Sequence, residues 1–233
     1  MRNDLTIYSK FAHEWWQEDG FYFRSLQNLT PFRLSLITEL VGDLKNKDVL
    51  DLGCGGGLIS IPLISKGARV TGIDLSTESV AIASKVAEGK GHFMTGDICS
   101  LDLPSASMDC VLMLDVLDHV PHFAQAIREA SRVLRDNGKL FIGTLNRNII
   151  AHLLVVTLGE TLGFIPKGTH DSKLFIKPEE LIETCSLYGL RHLFIQGEWP
   201  VFFKTILDGA ISLRKSNSTA VAYSAVFQKV SDA

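Results

Sequence analysis

Short apolar runs of strand length alternate with stretches whose apolar residues return every three or four positions, from about residue 33 onward. "DVLDLG" (48–53) and "RVTGID" (69–74) are runs of the first kind. "GLISIPLISKG" between them is of the second kind and closes at Gly67, which suits a helix C-cap. Together they predict a βαβ unit. A second helix is predicted over "TESVAIASKVAEGKG" (77–91), capped at Ser76 or Thr77, with a short strand around "HFMTGD" after it. "MDCVLMLDVL" (108–117) opens as a fully buried strand, and "FAQAIREASRVLRDNGKLFIGTLN" (123–146) reads as a helix, an Asn-Gly turn and a strand ending at Thr144 to Asn146. "KPEELIETCSLYGL" has Pro178 near its first turn and Gly189 at its close, and "AVAYSAVFQKV" alternates as a strand does. This order predicts an α/β fold in which a mostly parallel sheet carries helices on both faces.

The stretch "VLDLGCGGG" (49–57) ends an apolar run in an acid and then in glycines, at the point where a strand turns into a helix. Missing side chains there let a ligand lie against the backbone. A dinucleotide fingerprint needs Gly or Ala where Leu58 stands, and a phosphate loop needs a Gly-Lys-Ser/Thr ending that is absent. Asp51 is placed to accept a hydrogen bond from a cationic or N–H-bearing group. Asp74, ending the second strand, is placed to hold both hydroxyls of a ribose. A nucleoside without a pyrophosphate fits this pair best.

With 233 residues and 46% hydrophobic content the chain can bury one sizeable core, so residues 1–233 are expected to form a single domain. The 23 Lys and Arg against 26 Asp and Glu leave a charge of −3 and no basic run, so no nucleic acid partner is expected. Cys54, Cys99, Cys110 and Cys185 form no C-x-x-C pair and read as free thiols in a reducing compartment, the cytoplasm. "MRNDLTIYSK" has no apolar core of a secretory signal, and the near-apolar stretch 149–159 is too short to span a bilayer.

"LDLGCGGG", "GID", the Gly96–Asp97 pair and "LRDNGKL" resemble the motif series of class I S-adenosylmethionine-dependent methyltransferases over residues 45–146. That resemblance implies a Rossmann-like fold with a seven-stranded, mostly parallel sheet. It also implies a cofactor site: the methionine moiety by Asp51, Gly53, Cys54 and Gly55, the ribose on Asp74, the adenine beside Leu75, Asp97 and Ile98, and Leu114 under the sulfonium. "KFAHEWW", "TPFRLSLI", "GTLNRN" and "IPKGTHDSKLFIKPEEL" are similar more narrowly to the ubiquinone-biosynthesis O-methyltransferase family. This implies a small lipophilic aromatic substrate, a phenolic or catechol-type polyprenyl quinone precursor, and a role for Arg33 in holding the cofactor. The family's E-x-x-E-H segment, associated with Mg²⁺ or another divalent cation, corresponds here to "DVLDHV", with Asp115, Asp118 and His119. The stretches "LQNLT" and "GEWPVFFKTI" depart from the family.

Methyl transfer from a sulfonium is an in-line displacement, so a phenolic acceptor needs alignment, exclusion of water and removal of its proton. His119, with Asp118, is the candidate for that proton; a cation on Asp115, Asp118 and His119 would instead acidify a chelating catechol. The plain alternative is that Asp118 or His119 caps a helix begun by Pro121. His170 and Asp171 are second candidates for substrate contact, whereas His13 and His92 are expected to lie apart. Residues 1–40 are expected to form a helical lid, with Trp15, Trp16, Phe11 and Phe21 over the substrate or simply packed on the core. The 147–177 insertion lies near the substrate, in a bilayer interface at the inner face of the membrane, in the core or in a dimer contact. A tRNA wobble-base methyltransferase and a non-catalytic cofactor-binding protein remain as alternatives, and the oligomeric state is open.

Overall fold

The computed structural model describes residues 3–231. Eight strands form one sheet: β1 (Asp48–Leu52), β2 (Arg69–Asp74), β3 (His92–Thr95), β4 (Met108–Leu114), β5 (Leu134–Leu145), β6 (Leu190–Pro200), β7 (Leu213–Ser216) and β8 (Ala222–Lys229). Their order is β3-β2-β1-β4-β5-β8-β6-β7. Strands β1 to β5 pair in parallel, and β8 enters antiparallel between β5 and β6. The sheet therefore has one strand more than the seven expected. After β6 the chain makes a short helix, which begins in the stretch 197–206 whose sequence departs from the family, and returns as β7, an antiparallel edge strand on β6.

The helices are α1 (Thr6–Lys10), α2 (Arg24–Leu40), α3 (Ser60–Ser65), α4 (Thr77–Ala87), α5 (Phe123–Val133), α6 (Ile149–Ala151), α7 (Pro178–Leu187) and α8 (Phe202–Asp208). Helix α4 begins at Ser76, whose hydroxyl accepts the Ser79 N–H, as its sequence predicts. Helix α6 continues as wide π-type turns over His152–Gly159. Its Ala151, Val155 and Val156 are buried with Phe175 and Val221, while Ile149, Leu153 and Leu158 face outward. Asn137 does not end an element. It takes a left-handed backbone (φ 62°) inside a continuous β5, beside a shift in the β4–β5 register.

One core lies between the sheet and α5 with α7, the other between the sheet and α2 with α3. Val111, Leu112 and Met113 of β4 are wholly buried, as a central strand covered on both faces must be. The carboxyl ends of β1, β2 and β4 meet where the sheet order turns from β1-β2-β3 to β4-β5. A crevice forms at such a switch point because the chains leaving neighbouring strands diverge to opposite faces.

Candidate functional site

A cavity of about 620 Å³ opens at those strand ends. Such a volume takes a nucleoside-sized donor and an aromatic ring together. Arg33, Asp51, Gly53, Cys54, Gly55, Asp74, Leu75, Asp97, Ile98 and Leu114 all line it, so one cavity gathers every residue the resemblance assigns to the cofactor. Tyr8 and Trp15 close it from the N-terminal side, and Asp115 and His119 line its far wall.

Asp51 is 2% exposed and accepts the Ser60 hydroxyl at 2.6 Å. Burial pushes its carboxyl up to about 6; the Ser60 hydrogen bond opposes the rise and the nearby Asp74 adds to it. Asp74 accepts the Gly55 N–H at 2.9 Å and the Ser76 N–H at 2.8 Å. Burial raises its pKa too, against the pull of these backbone donors. Gly53 and Gly55 line the cavity, and Gly55 and Gly56 also serve a neighbour the sequence did not indicate. A Cβ on Gly56 would sit 2.2 Å from Trp15 and one on Gly55 2.5 Å from it, so the bare backbone admits Trp15 on this side. The indole Nε1 donates to Ser79 Oγ at 2.8 Å, and Trp16 Nε1 donates to the Gly56 carbonyl at 2.8 Å. Trp15 stacks on Phe23 with ring centroids 3.8 Å apart. Of the four aromatics expected over the substrate, Trp15 alone lines the cavity; Phe11 stacks on Tyr22, and Trp16 and Phe21 are exposed.

Arg33 is buried, and its guanidinium donates Nη1 to both carboxylate oxygens of Glu198, at 2.5 and 2.6 Å, and Nη2 to Asp115 Oδ1 at 2.6 Å. Ser224 Oγ also donates to Glu198, at 2.5 Å. Burial alone disfavours the Arg33 charge, but the two acids outweigh it and raise its pKa. Burial raises Glu198 and Asp115, with Arg33 opposing and each acid repelling other acids nearby. Arg33 thus lines the cavity while its polar end is committed to two carboxylates, with Nε left buried and without a partner. The expected ligand set Asp115, Asp118 and His119 is accordingly corrected: Arg33 holds Asp115, whose backbone at φ 52° sends the side chain to α2. Glu198 escaped the sequence reading, although it is the only acidic residue of β6.

Leu117–His119 form a 3₁₀ turn, and α5 starts later, at Phe123, with no side-chain cap, so neither Asp118 nor His119 caps it. Asp118 is buried outside the cavity wall and accepts Thr144 Oγ1 at 3.3 Å. Its Oδ2 lies 3.7 Å from Nε2 of His119 and 3.7 Å from Nε2 of His170. The His119 and His170 rings stack with centroids 5.1 Å apart. Burial, then the His119 charge, push His170 well below the ordinary histidine range. The ligand atoms of Asp118, His119 and His170 lie within 4.8 Å of one another, the group of the described residues able to converge on a cation. Asp171 instead caps a turn by accepting the Lys173 N–H at 3.0 Å. His119 Nε2 is 3.4 Å from Tyr8 Oη. Burial first, and the Asp118 charge second, raise the Tyr8 pKa, which keeps this hydroxyl a donor. Tyr8 was missed because a contact spanning 111 residues leaves no local signal.

A family model described as a methyltransferase domain matches residues 50–142. The ubiquinone biosynthesis O-methyltransferase of Idiomarina loihiensis is 37% identical over 199 residues, covering 83% of this chain and 82% of its own length. Its namesake from Aeromonas salmonicida is 38% identical over 196 residues, covering 80% and 82%. The chain belongs to the ubiquinone biosynthesis O-methyltransferase family. It is an S-adenosylmethionine-dependent O-methyltransferase. The magnesium protoporphyrin IX methyltransferase of Synechocystis PCC 6803, solved with bound S-adenosylhomocysteine, shares this methyltransferase's fold, with a TM-score of 0.67, 20% identity and coverage of 96% and 97%. An S-adenosylmethionine-dependent methyltransferase of Thermotoga maritima shares it with a TM-score of 0.69, 18% identity and coverage of 96% and 98%.

Proposed function

We propose that this methyltransferase acts on the hydroxyl of a phenolic or catechol-type polyprenyl quinone precursor, with His119 accepting the hydroxyl proton. The observation that carries the reading is that His119 lines the same cavity as Leu114, Asp115 and the glycine loop. Asp74 would hold the ribose of S-adenosylmethionine, Leu75, Asp97 and Ile98 its adenine, and Asp51 and Gly53 its methionine end, all of them on the wall of this cavity. The acceptor oxygen attacks the methyl carbon in line, the carbon–sulfur bond breaks, the sulfonium becomes a neutral thioether and the proton passes to Nε2 of His119. A phenol has a pKa of about 10, so this transfer raises its nucleophilicity at neutral pH. Asp118, 3.7 Å away, stabilises the imidazolium that forms. The test is turnover on a short-tailed catechol. His119→Gln is expected to lower kcat by about 10²- to 10⁴-fold without weakening donor binding, and full activity in that variant overturns the assignment.

A second reading rests on the convergence of Asp118, His119 and His170. Two imidazoles and one carboxylate suit a transition-metal ion better than Mg²⁺, which favours oxygen ligands. When bound there, a divalent cation would supply Lewis acidity to a catechol. Activity that vanishes on chelation and returns with a transition metal, but not with Mg²⁺, supports this reading; activity indifferent to chelator leaves His119 as the proton acceptor.

A lipid-tailed acceptor would be collected at the inner face of the membrane. No helix among the described residues is long and apolar enough to cross one. Support for a peripheral contact comes from Ile149, Leu153, Leu158 and Leu162 of the insertion and Phe202, Phe203, Ile206 and Leu207 of α8, all exposed. Both segments flank the start of α2, where Ser25 Oγ donates to the Phe164 carbonyl at 2.6 Å and accepts the Ile211 N–H at 3.0 Å. Four free cysteines fit a cytoplasmic setting.

A further inference from the structure

We propose that Asn3 is a positioning residue for His119 and fixes which ring nitrogen carries the proton. The Asn3 side chain makes two bonds to one histidine across 116 residues of sequence: Nδ2 donates to the His119 carbonyl at 3.1 Å, and Oδ1 lies 2.7 Å from His119 Nδ1. A backbone carbonyl only accepts, so the amide must turn its NH₂ toward it. That leaves Oδ1, also only an acceptor, against Nδ1, and Nδ1 must carry the hydrogen. The neutral ring then has its lone pair on Nε2, the nitrogen beside Tyr8 Oη and Asp118. A flipped amide would set two carbonyl oxygens against each other at 3.1 Å and is excluded by that repulsion. Asn3 is itself held in place: its backbone is left-handed at φ 62°, and the next residue, Asp4, donates its N–H to the Gly168 carbonyl at 3.1 Å, two residues before His170. Asn3 is not among the residues that line the cavity. It acts through His119, and its catalytic consequence rests on the reading that His119 takes the acceptor's proton.

The experiment combines long-range ¹⁵N–¹H correlation spectra of histidine-labelled protein, at a pH where the ring is neutral, with steady-state kinetics. Wild type is expected to show His119 protonated at Nδ1. In Asn3→Leu the ring should shift to the Nε2-protonated form, and kcat should fall about tenfold with the donor KM unchanged, the scale of one hydrogen bond. An Nε2-protonated ring in wild type, or an unmoved tautomer in Asn3→Leu, overturns the proposal even if His119→Gln is inactive. A moved tautomer with unchanged kcat upholds the role of Asn3 and removes His119 as proton acceptor.

Discussion

At the scale of single residues, two buried acids set the pH response of the cofactor site. Asp51 in the free protein sits at about 6, above its ordinary 3.8, because it is buried. A cationic donor favours the ionised form, so binding lowers this pKa and expels the proton. Affinity for S-adenosylmethionine should therefore tighten as pH rises through about 6 and level off above it. Calorimetry across that window checks this, and Asp51→Asn should flatten the dependence. Asp74→Ala, which removes two ribose acceptors, should weaken donor and product binding by about 10- to 100-fold at neutral pH, where the carboxylate is ionised, since bonds to a charged acceptor contribute about 1.5–3 kcal/mol. Arg33 gives the complementary case. Arg33→Met leaves Glu198 and Asp115 facing each other in the core without a cation, at a cost of about 3–5 kcal/mol in denaturant unfolding. Both acids already have raised pKa values, so they gain protons as pH falls. The deficit should be smaller near pH ~5 than near pH ~8.

At the scale of elements, the parallel half was legible because each β1–β4 strand and following helix carries its own period, cap and length signal within about fifteen residues. The expected cofactor residues were singled out by the family motifs; all but Arg33, which sits on α2, fall at or just beyond the ends of β1 to β4, and all line the cavity. What escaped is non-local. The commitment of Asp115 to Arg33, the approach of His170 to Asp118 and the seating of Trp15 on the glycine loop each join segments far apart in the chain. No short-range pattern encodes such a meeting, although family motifs brought these residues to notice singly. Asn137-Gly138 misled because a left-handed residue suits a kink in a strand as well as a turn between strands. The glycine loop and the Trp15 turn act as one packed unit. Gly56→Ala should destabilise by about 1–3 kcal/mol through overpacking. Adding Trp15→Ala should then cost less than it does in wild type, a coupling that thermal unfolding of the four proteins of the cycle would measure.

At the scale of the whole molecule, the insertion and α8 both carry exposed apolar side chains on a protein whose net charge is only −3. Flotation with vesicles should carry the wild type upward and leave Phe203→Gln/Leu207→Gln at the bottom; a wild type that never floats removes the lipid contact. If His119 takes the acceptor's proton, the N-terminal segment would also give the catalytic cycle an order in time. Trp15 stands on the glycine loop, while Asn3 and Tyr8 hold His119, so a single stretch of chain touches both the donor's cradle and the proton acceptor. An opening that released the spent cofactor past Trp15 would pull at the contacts Asn3 and Tyr8 make with His119. On the proposed reading the door and the trigger would be one object: while it stood open the acceptor would have no oriented base beside it, and its proton could be taken only once the segment had closed over the site.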